Sequence, residues 1–151
     1  MSHLDHVRSK LKEQVPLITH MGIDVVGWDG ATVQVEAPLG PNLNTHGTAF
    51  GGSLYCVGAM TGWSALHLTL MDAGHLPSVW LAKGEVEYLK PVRGTLRAST
   101  TISEDLRQQW LSEFEAKGRV KAHIEIAIAE QGQDAVRMRA LYVAMTPASE
   151  K

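Results

Sequence analysis

The feature that most constrains this chain is the apolar run from Gly51 to Met71, entered from a polar loop, Pro41 to Phe50, through the glycine pair Gly51-Gly52. Apolar residues fall on every side of a helix drawn through it, so that helix must be enclosed on more than one side. Ser53, Thr61, Ser64, His67, Thr69 and several glycines interrupt the run, and it falls short of the uniform hydrophobicity of a bilayer span. It reads as a buried helix, with Gly58, Ala59 and Gly62 small enough for neighbouring backbone to come close.

The flanking segments supply a sheet to enclose it. An amphipathic helix is predicted from His3 to Gln14, with Leu4, Val7 and Leu11 on one face and Pro16 closing it. Ile23 to Trp28 and Thr32 to Ala37 alternate as strands on either side of Asp29-Gly30, a hairpin turn pair. The stretch Pro38 to Ala49 holds two prolines, Gly40 and two asparagines and reads as irregular loop. After the long helix, Val79–Leu89, Thr95–Ile102, Arg119–Glu130 and Ala135–Met145 read as antiparallel strands. Asp105 to Lys117 reads as a connecting helix, although Trp110 and Phe114 would also suit prolonged strands. The expectation is one α+β domain over residues 1–151, a long central helix wrapped by a curved antiparallel sheet of about six strands.

The loop-to-helix junction is where chemistry is expected. The first N–H groups of a helix lack intrahelical partners, and glycines there let an external oxygen approach the backbone. Gly51 and Gly52 would serve a developing oxyanion, while Asn44 and His46 upstream could hold a water or the carbonyl undergoing acyl transfer. Competing readings are an Asx turn at Asn44, close packing at the glycines, and a Thr48 cap over the same amides. Phe50, directly before the pair, cannot accept a hydrogen bond, which favours open donors.

The pattern Asn44-x-His46-Gly47-Thr48-x-Phe50-Gly51-Gly52 resembles the loop-to-helix junction of hotdog-fold acyl-CoA thioesterases. Ala37 to Trp63, with Val79 to Gly94 and its Tyr88-Leu89-Lys90-Pro91, is most similar to the thioesterase domain found C-terminal to some bacterial N-acetyltransferases. The resemblance spans nearly the whole chain and implies a hotdog fold, hydrolysis of an acyl-CoA or acyl-carrier-protein thioester, and a homodimer or dimer of dimers with the site at the subunit interface. It also exposes a departure. The better-known relatives carry an Asp or Glu seven residues after the second glycine, and here that position is Ala59. Tyr55, Cys56, Gly62 and Trp63 would share its face by helical spacing, so Phe50, Tyr55 and Trp63 become candidate substrate contacts. The missing carboxylate could come from a partner subunit or from the strand carrying Lys83, Glu85 and Glu87, which share one face; Glu85 is the first choice, against the competing reading of the three as a solvent-facing charged stripe. Lys90, Arg93 and Arg97 are candidates for CoA phosphates, against the competing reading of scattered surface bases.

Other functions find less support. With 20% charged residues and a net charge of -2, nothing favours nucleic acid or an anionic membrane. The lone Cys56 cannot form an intrachain disulfide and reads as a core residue, and the N-terminus lacks the apolar centre of a signal peptide, so a cytoplasmic protein is expected. No His-Glu-x-x-His or cysteine pair marks a metal, no Walker or Rossmann glycine loop marks a nucleotide cofactor, and Gly51-Gly52-Ser53-Leu54-Tyr55 lacks the last glycine of a serine-hydrolase elbow. The rival readings are a non-catalytic acyl-CoA-binding protein and, further off, a hotdog dehydratase or hydratase.

Overall fold

The structure, a computed structural model, describes residues 1–147; residues 148–151 of the domain expected over 1–151 lie outside them. The chain runs α1 (His3–Gln14), α2 (Pro16–Met21), β1 (Asp24–Trp28), β2 (Thr32–Ala37), a 3₁₀ turn (Gly40–Asn42), α3 (Gly51–Asp72), β3 (Ser78–Tyr88), β4 (Leu96–Thr101), α4 (Glu104–Lys117), β5 (Arg119–Glu130) and β6 (Gln133–Met145). Pro16 does more than stop α1. It occupies the first turn of α2, where its missing N–H costs nothing. Ser2 and Ser103 cap α1 and α4 by accepting the amides of Asp5 and Leu106. Trp110, Leu111 and Phe114 are buried on one side of α4, which settles that segment as helix.

The strands form one six-stranded sheet in the order β1-β2-β4-β5-β6-β3, antiparallel throughout. The β1–β2 turn is fixed by the Asp29 carboxylate, which accepts from the amides of Ala31 and Thr32 at 2.9 and 2.7 Å. On β5 the residues Val120, Ala122, Ile124, Ile126 and Ile128 are buried, and the residues between them face outward. The sheet thus has an inner face on α3 and an outer, charged face.

Glycines set how closely α3 and the sheet approach. A Cβ on Gly58 would meet Met138 Sδ at 2.7 Å, and one on Gly62 would meet the Tyr142 hydroxyl at 2.3 Å. From the other side, a Cβ on Gly84 of β3 would lie 2.0 Å from the Tyr55 hydroxyl oxygen. In its C-terminal half α3 is fully enclosed, with Ser64 to Met71 all buried and Val7 and Leu11 of α1 buried in the same core. The N-terminal half differs. Tyr55, Cys56, Ala59, Met60 and Trp63 stay half-buried along a stripe beside β3, whereas Gly62, expected on that stripe, is turned to β6.

Among the described residues β3 is an edge strand, bonded to β6 on one side only. It carries Trp80 and Leu81 at 62% and 41% exposure. No helix among the described residues is long and apolar enough to cross a membrane.

Candidate functional site

The loop before α3 is built from the side chains of two asparagines. Asn42 is buried and donates to the carbonyls of Met21 and Pro38 at 2.8 and 2.7 Å, while its own carbonyl accepts the Phe50 amide at 2.7 Å. Its Oδ1 is a buried atom with no partner among the described residues. Asn44 accepts the amides of His46 and Thr48 at 2.8 and 3.1 Å and donates to Thr48 Oγ1 and the Ala49 carbonyl at 2.7 and 3.3 Å. Both ends of the Asn44 amide are therefore committed to the loop. Of the two sequence readings of Asn44, the geometry matches the turn-forming one. With Gly47 at φ 77°, the chain reverses and presents His46 at an exposed tip.

This scaffolding delivers the backbone to α3 with open donors. Phe50 is the N-cap and offers no side-chain acceptor. Thr48, which sequence offers as a cap, is instead the partner of Asn44. Leu54 N–H donates to Phe50 O as the first intrahelical bond, leaving the amides of Gly51, Gly52 and Ser53 without an acceptor among the described residues. Their side of the helix carries the positive end of the macrodipole. The Phe50 ring, half exposed, lies against Gly52 so closely that a Cβ there would sit 2.5 Å from ring carbon Cε1. A side chain at position 52 would have to push this exposed ring aside, and glycine leaves both the ring and the amides undisturbed.

Along β3, Tyr88 donates its hydroxyl to the Gly51 carbonyl at 2.8 Å. Burial, reinforced by Tyr55 and Cys56 nearby, pushes the Tyr88 phenol up; burial likewise pushes the Cys56 thiol up, so Cys56 is held as a thiol. Tyr55 lies over Gly84. Trp63 donates Nε1 to the Val79 carbonyl at 3.0 Å and stacks on His67 with 4.7 Å between ring centres. Its indole nitrogen is used to pin α3 to β3. Tyr88 and Asn42 are the contributors that sequence reasoning passed over. The Tyr88-Leu89-Lys90-Pro91 segment carried the signal for the first, while nothing at residue 42 distinguished a buried asparagine from an ordinary turn residue.

Two sequence expectations are corrected. Gly84 faces α3, so its neighbour Glu85 points to the outer face, where it pairs with Lys83 at 3.2 Å; within the protomer Glu85 cannot supply the carboxylate missing at Ala59. Arg97 lies on the outer face too, paired with Glu36 at 3.3 Å. Lys90 and Arg93 flank Val92, whose carbonyl accepts the Ala49 amide at 2.8 Å and ties their loop to the start of α3, while Lys90 Nζ donates to Gln133 Oε1 at 2.7 Å. A groove of about 750 Å³ runs over the outer face past Glu85, Glu125, Arg137 and Arg139. It lies across the sheet from the open amides, and its arginines are paired with Asp134 and Glu125. Among the described residues, no three His, Cys, Asp or Glu side chains stand close enough together to hold a metal ion.

A long helix clasped by a six-stranded antiparallel sheet, with a loop opening onto the helix N-terminus, is the hotdog fold. Within it the chain belongs to the YiiD_C family, described as "Putative thioesterase (yiiD_Cterm)", whose model matches residues 4–146. Among solved structures it is similar to a protein of unknown function from Chlorobaculum tepidum TLS, at 26% identity over 95% of this chain and 94% of that one, with a TM-score of 0.89. It is also similar to a protein from Shewanella oneidensis described as a "putative thioesterase", at 26% identity over 95% and 97% of the two chains and a TM-score of 0.86. A thioesterase from Haemophilus influenzae shares the fold at 16% identity, covering 97% and 92% of the chains, with a TM-score of 0.71.

Proposed function

We propose that this protein hydrolyses the thioester of an acyl-CoA or an acyl-carrier protein in the cytosol, at the N-terminus of α3. The observation that carries the reading is the set of uncapped amides at Gly51, Gly52 and Ser53 behind a phenylalanine N-cap, in a chain whose family is described as thioesterase. Water attacks the carbonyl carbon, the oxygen becomes an oxyanion held by these amides, and collapse breaks the C–S bond. The proton taken from water ends on the departing thiolate. His46 orients that water and takes its proton, Asn44 holds the loop that carries His46, and Lys90 with Arg93 meets phosphate oxygens of the carrier. The acyl group lies against Phe50, Tyr55 and the edge of Trp63. Two copies pair through their β3 edges, which brings the half-open stripe of α3 under cover.

The test is a panel of acyl-CoA and acyl-carrier-protein thioesters with detection of the released thiol. Turnover of one chain class supports the reading. One observation favours the rival, a non-catalytic acyl-CoA-binding protein: no carboxylate lies at Ala59, and Glu85 points away from the amides. Saturable binding without thiol release from any substrate decides for that rival.

A further inference from the structure

Tyr88, the last residue of β3, meets the first turn of α3 with its ring against Gly51, where a Cβ would lie 3.5 Å from the Tyr88 hydroxyl and ring carbon Cζ. The phenol donates to the Gly51 carbonyl oxygen at 2.8 Å. In an α-helix that oxygen also accepts the amide four residues on, from Tyr55, and a carbonyl has a lone pair for each bond. The peptide unit that takes both bonds is the one whose nitrogen belongs to Gly52. Hydrogen bonds to an amide oxygen draw electron density away from its N–H and make that N–H a stronger donor, by roughly 10 to 30% per bond in a chain. The acceptor side of this peptide is therefore loaded by Tyr88, and its donor side is one of the uncapped amides.

We infer that Tyr88 is a positioning residue for thioester hydrolysis, holding the first turn of α3 on β3 and strengthening the Gly52 N–H that receives the oxyanion. The inference rests on the thioesterase reading for its catalytic consequence but not for its effect on the peptide. Tyr88 acts through the backbone and exchanges no proton with substrate. Its raised pKa, caused first by burial and then by Tyr55 and Cys56, keeps the phenol a donor through the neutral range. A hydroxyl on an edge strand thus does work on the far side of a peptide bond.

The experiment uses the full-length protein with Tyr88→Phe and with 3-fluorotyrosine incorporated at position 88. The first removes the donor and keeps the ring; the second makes the phenol a stronger donor. Two quantities are read: the Gly52 amide resonance in a ¹H–¹⁵N spectrum, and kcat and KM on the best thioester. Tyr88→Phe is expected to move the Gly52 proton upfield relative to Ser53, and 3-fluorotyrosine to move it downfield. Because loss of a whole oxyanion donor costs roughly 10² to 10³ in kcat, weakening one by roughly 10 to 30% should cost roughly 2- to 8-fold, with KM within about 2-fold; the fluorinated protein should match or exceed the unmodified rate. A residue that merely fills space would treat the three rings alike. A Gly52 resonance that does not follow the phenol overturns the inference whatever the activity, as does an unchanged kcat in Tyr88→Phe when the parent protein is active. If the parent protein cleaves no thioester, the proposed function falls, and the Gly52 resonance still upholds or overturns the role of Tyr88 on that peptide.

Discussion

The Tyr142 phenol on β6 donates to the Ala59 carbonyl oxygen at 2.7 Å. Burial pushes its own pKa well above that of a free tyrosine, so it remains a donor, and it fixes the backbone of α3 at Ala59, the position where the family resemblance implies an acid. The Ala59 side chain is half-buried on the stripe beside β3.

Ala59→Asp should add a carboxylate on the half-buried stripe of α3 and raise a slow thioesterase rate by roughly tenfold or more, a part of the roughly 10²- to 10⁴-fold that a well-placed general base contributes. Half-burial of the new charge opposes this by raising its pKa and costing some stability. Rate and melting temperature are measured on one preparation. A folded variant with no gain on any accepted thioester would mean that the base is supplied from elsewhere.

His46→Ala should lower kcat by roughly 10² to 10⁴ and leave the melting temperature unchanged. The side chain sits at an exposed loop tip, and the loop is held by its backbone amide and by Asn44. Asn44→Ala should behave differently, reducing activity and loop order together. Equal activity of His46→Ala and the parent removes His46 from the reaction.

Most of the fold was legible because it rests on local signals that tertiary structure had no reason to override. Asp29-Gly30 marked the hairpin, Val120 to Ile128 alternated without a break, and the length and all-round apolarity of Gly51 to Met71 admitted only an enclosed helix. The site was less legible, for physical reasons that the same residues display. Alternation placed Lys83, Glu85 and Glu87 on one face but could not say which; that was decided at Gly84, where only a glycine leaves room for Tyr55. Register on β3 also shifts between Leu81 and Lys83, so parity counted from the strand's start would mislead. The amide of Asn44 could serve a water or its own backbone equally well in sequence, and the choice lay in how Thr48 and Ala49 return past it.

Gly62→Ala should be among the most destabilising small substitutions in the chain. Its methyl would lie 2.3 Å from the Tyr142 hydroxyl and 2.5 Å from ring carbon Cε2, and Tyr142 is fully buried. Overpacking of this kind costs roughly 1 to 3 kcal/mol even after the gain in helix propensity, or roughly 3 to 10 °C at this size. Gly94→Ala, where nothing lies within 4 Å, is the control and should stay within about 0.5 kcal/mol. Thermal unfolding of the two variants checks the helix-to-sheet distance directly.

Association should follow from the edge of β3, an eleven-residue strand with one unpaired side and an exposed tryptophan. Sedimentation at micromolar concentration should give a multiple of 16.5 kDa, and Leu81→Glu, which places a charge on that strand, should shift the distribution toward the single chain. Thioesterase activity should fall with it if the site needs two copies. A monomeric parent protein with full activity would contradict the shared site.

The imidazole of His67 is 1% exposed and stacked on Trp63, with Nδ1 lacking a partner among the described residues. Burial, helped by the positive charges of Lys10 and His6 on α1, pushes its pKa down to about 4, against 6.5 for a free histidine. The native protein thus holds His67 neutral while the unfolded chain binds a proton below pH 6.5. Protons then favour unfolding, so stability is full above that value and is lost as pH falls through the window from about 6.5 to about 4. At about 1.4 kcal/mol per unit, this one residue should remove roughly 2 to 3 kcal/mol between pH 7.5 and pH 4.5. In His67→Leu that contribution disappears, whatever the variant's stability at neutral pH. Urea unfolding of both proteins across the range gives the comparison: the parent's curve should fall more steeply than the variant's, and parallel curves would mean that His67 is already protonated or solvated in the native state.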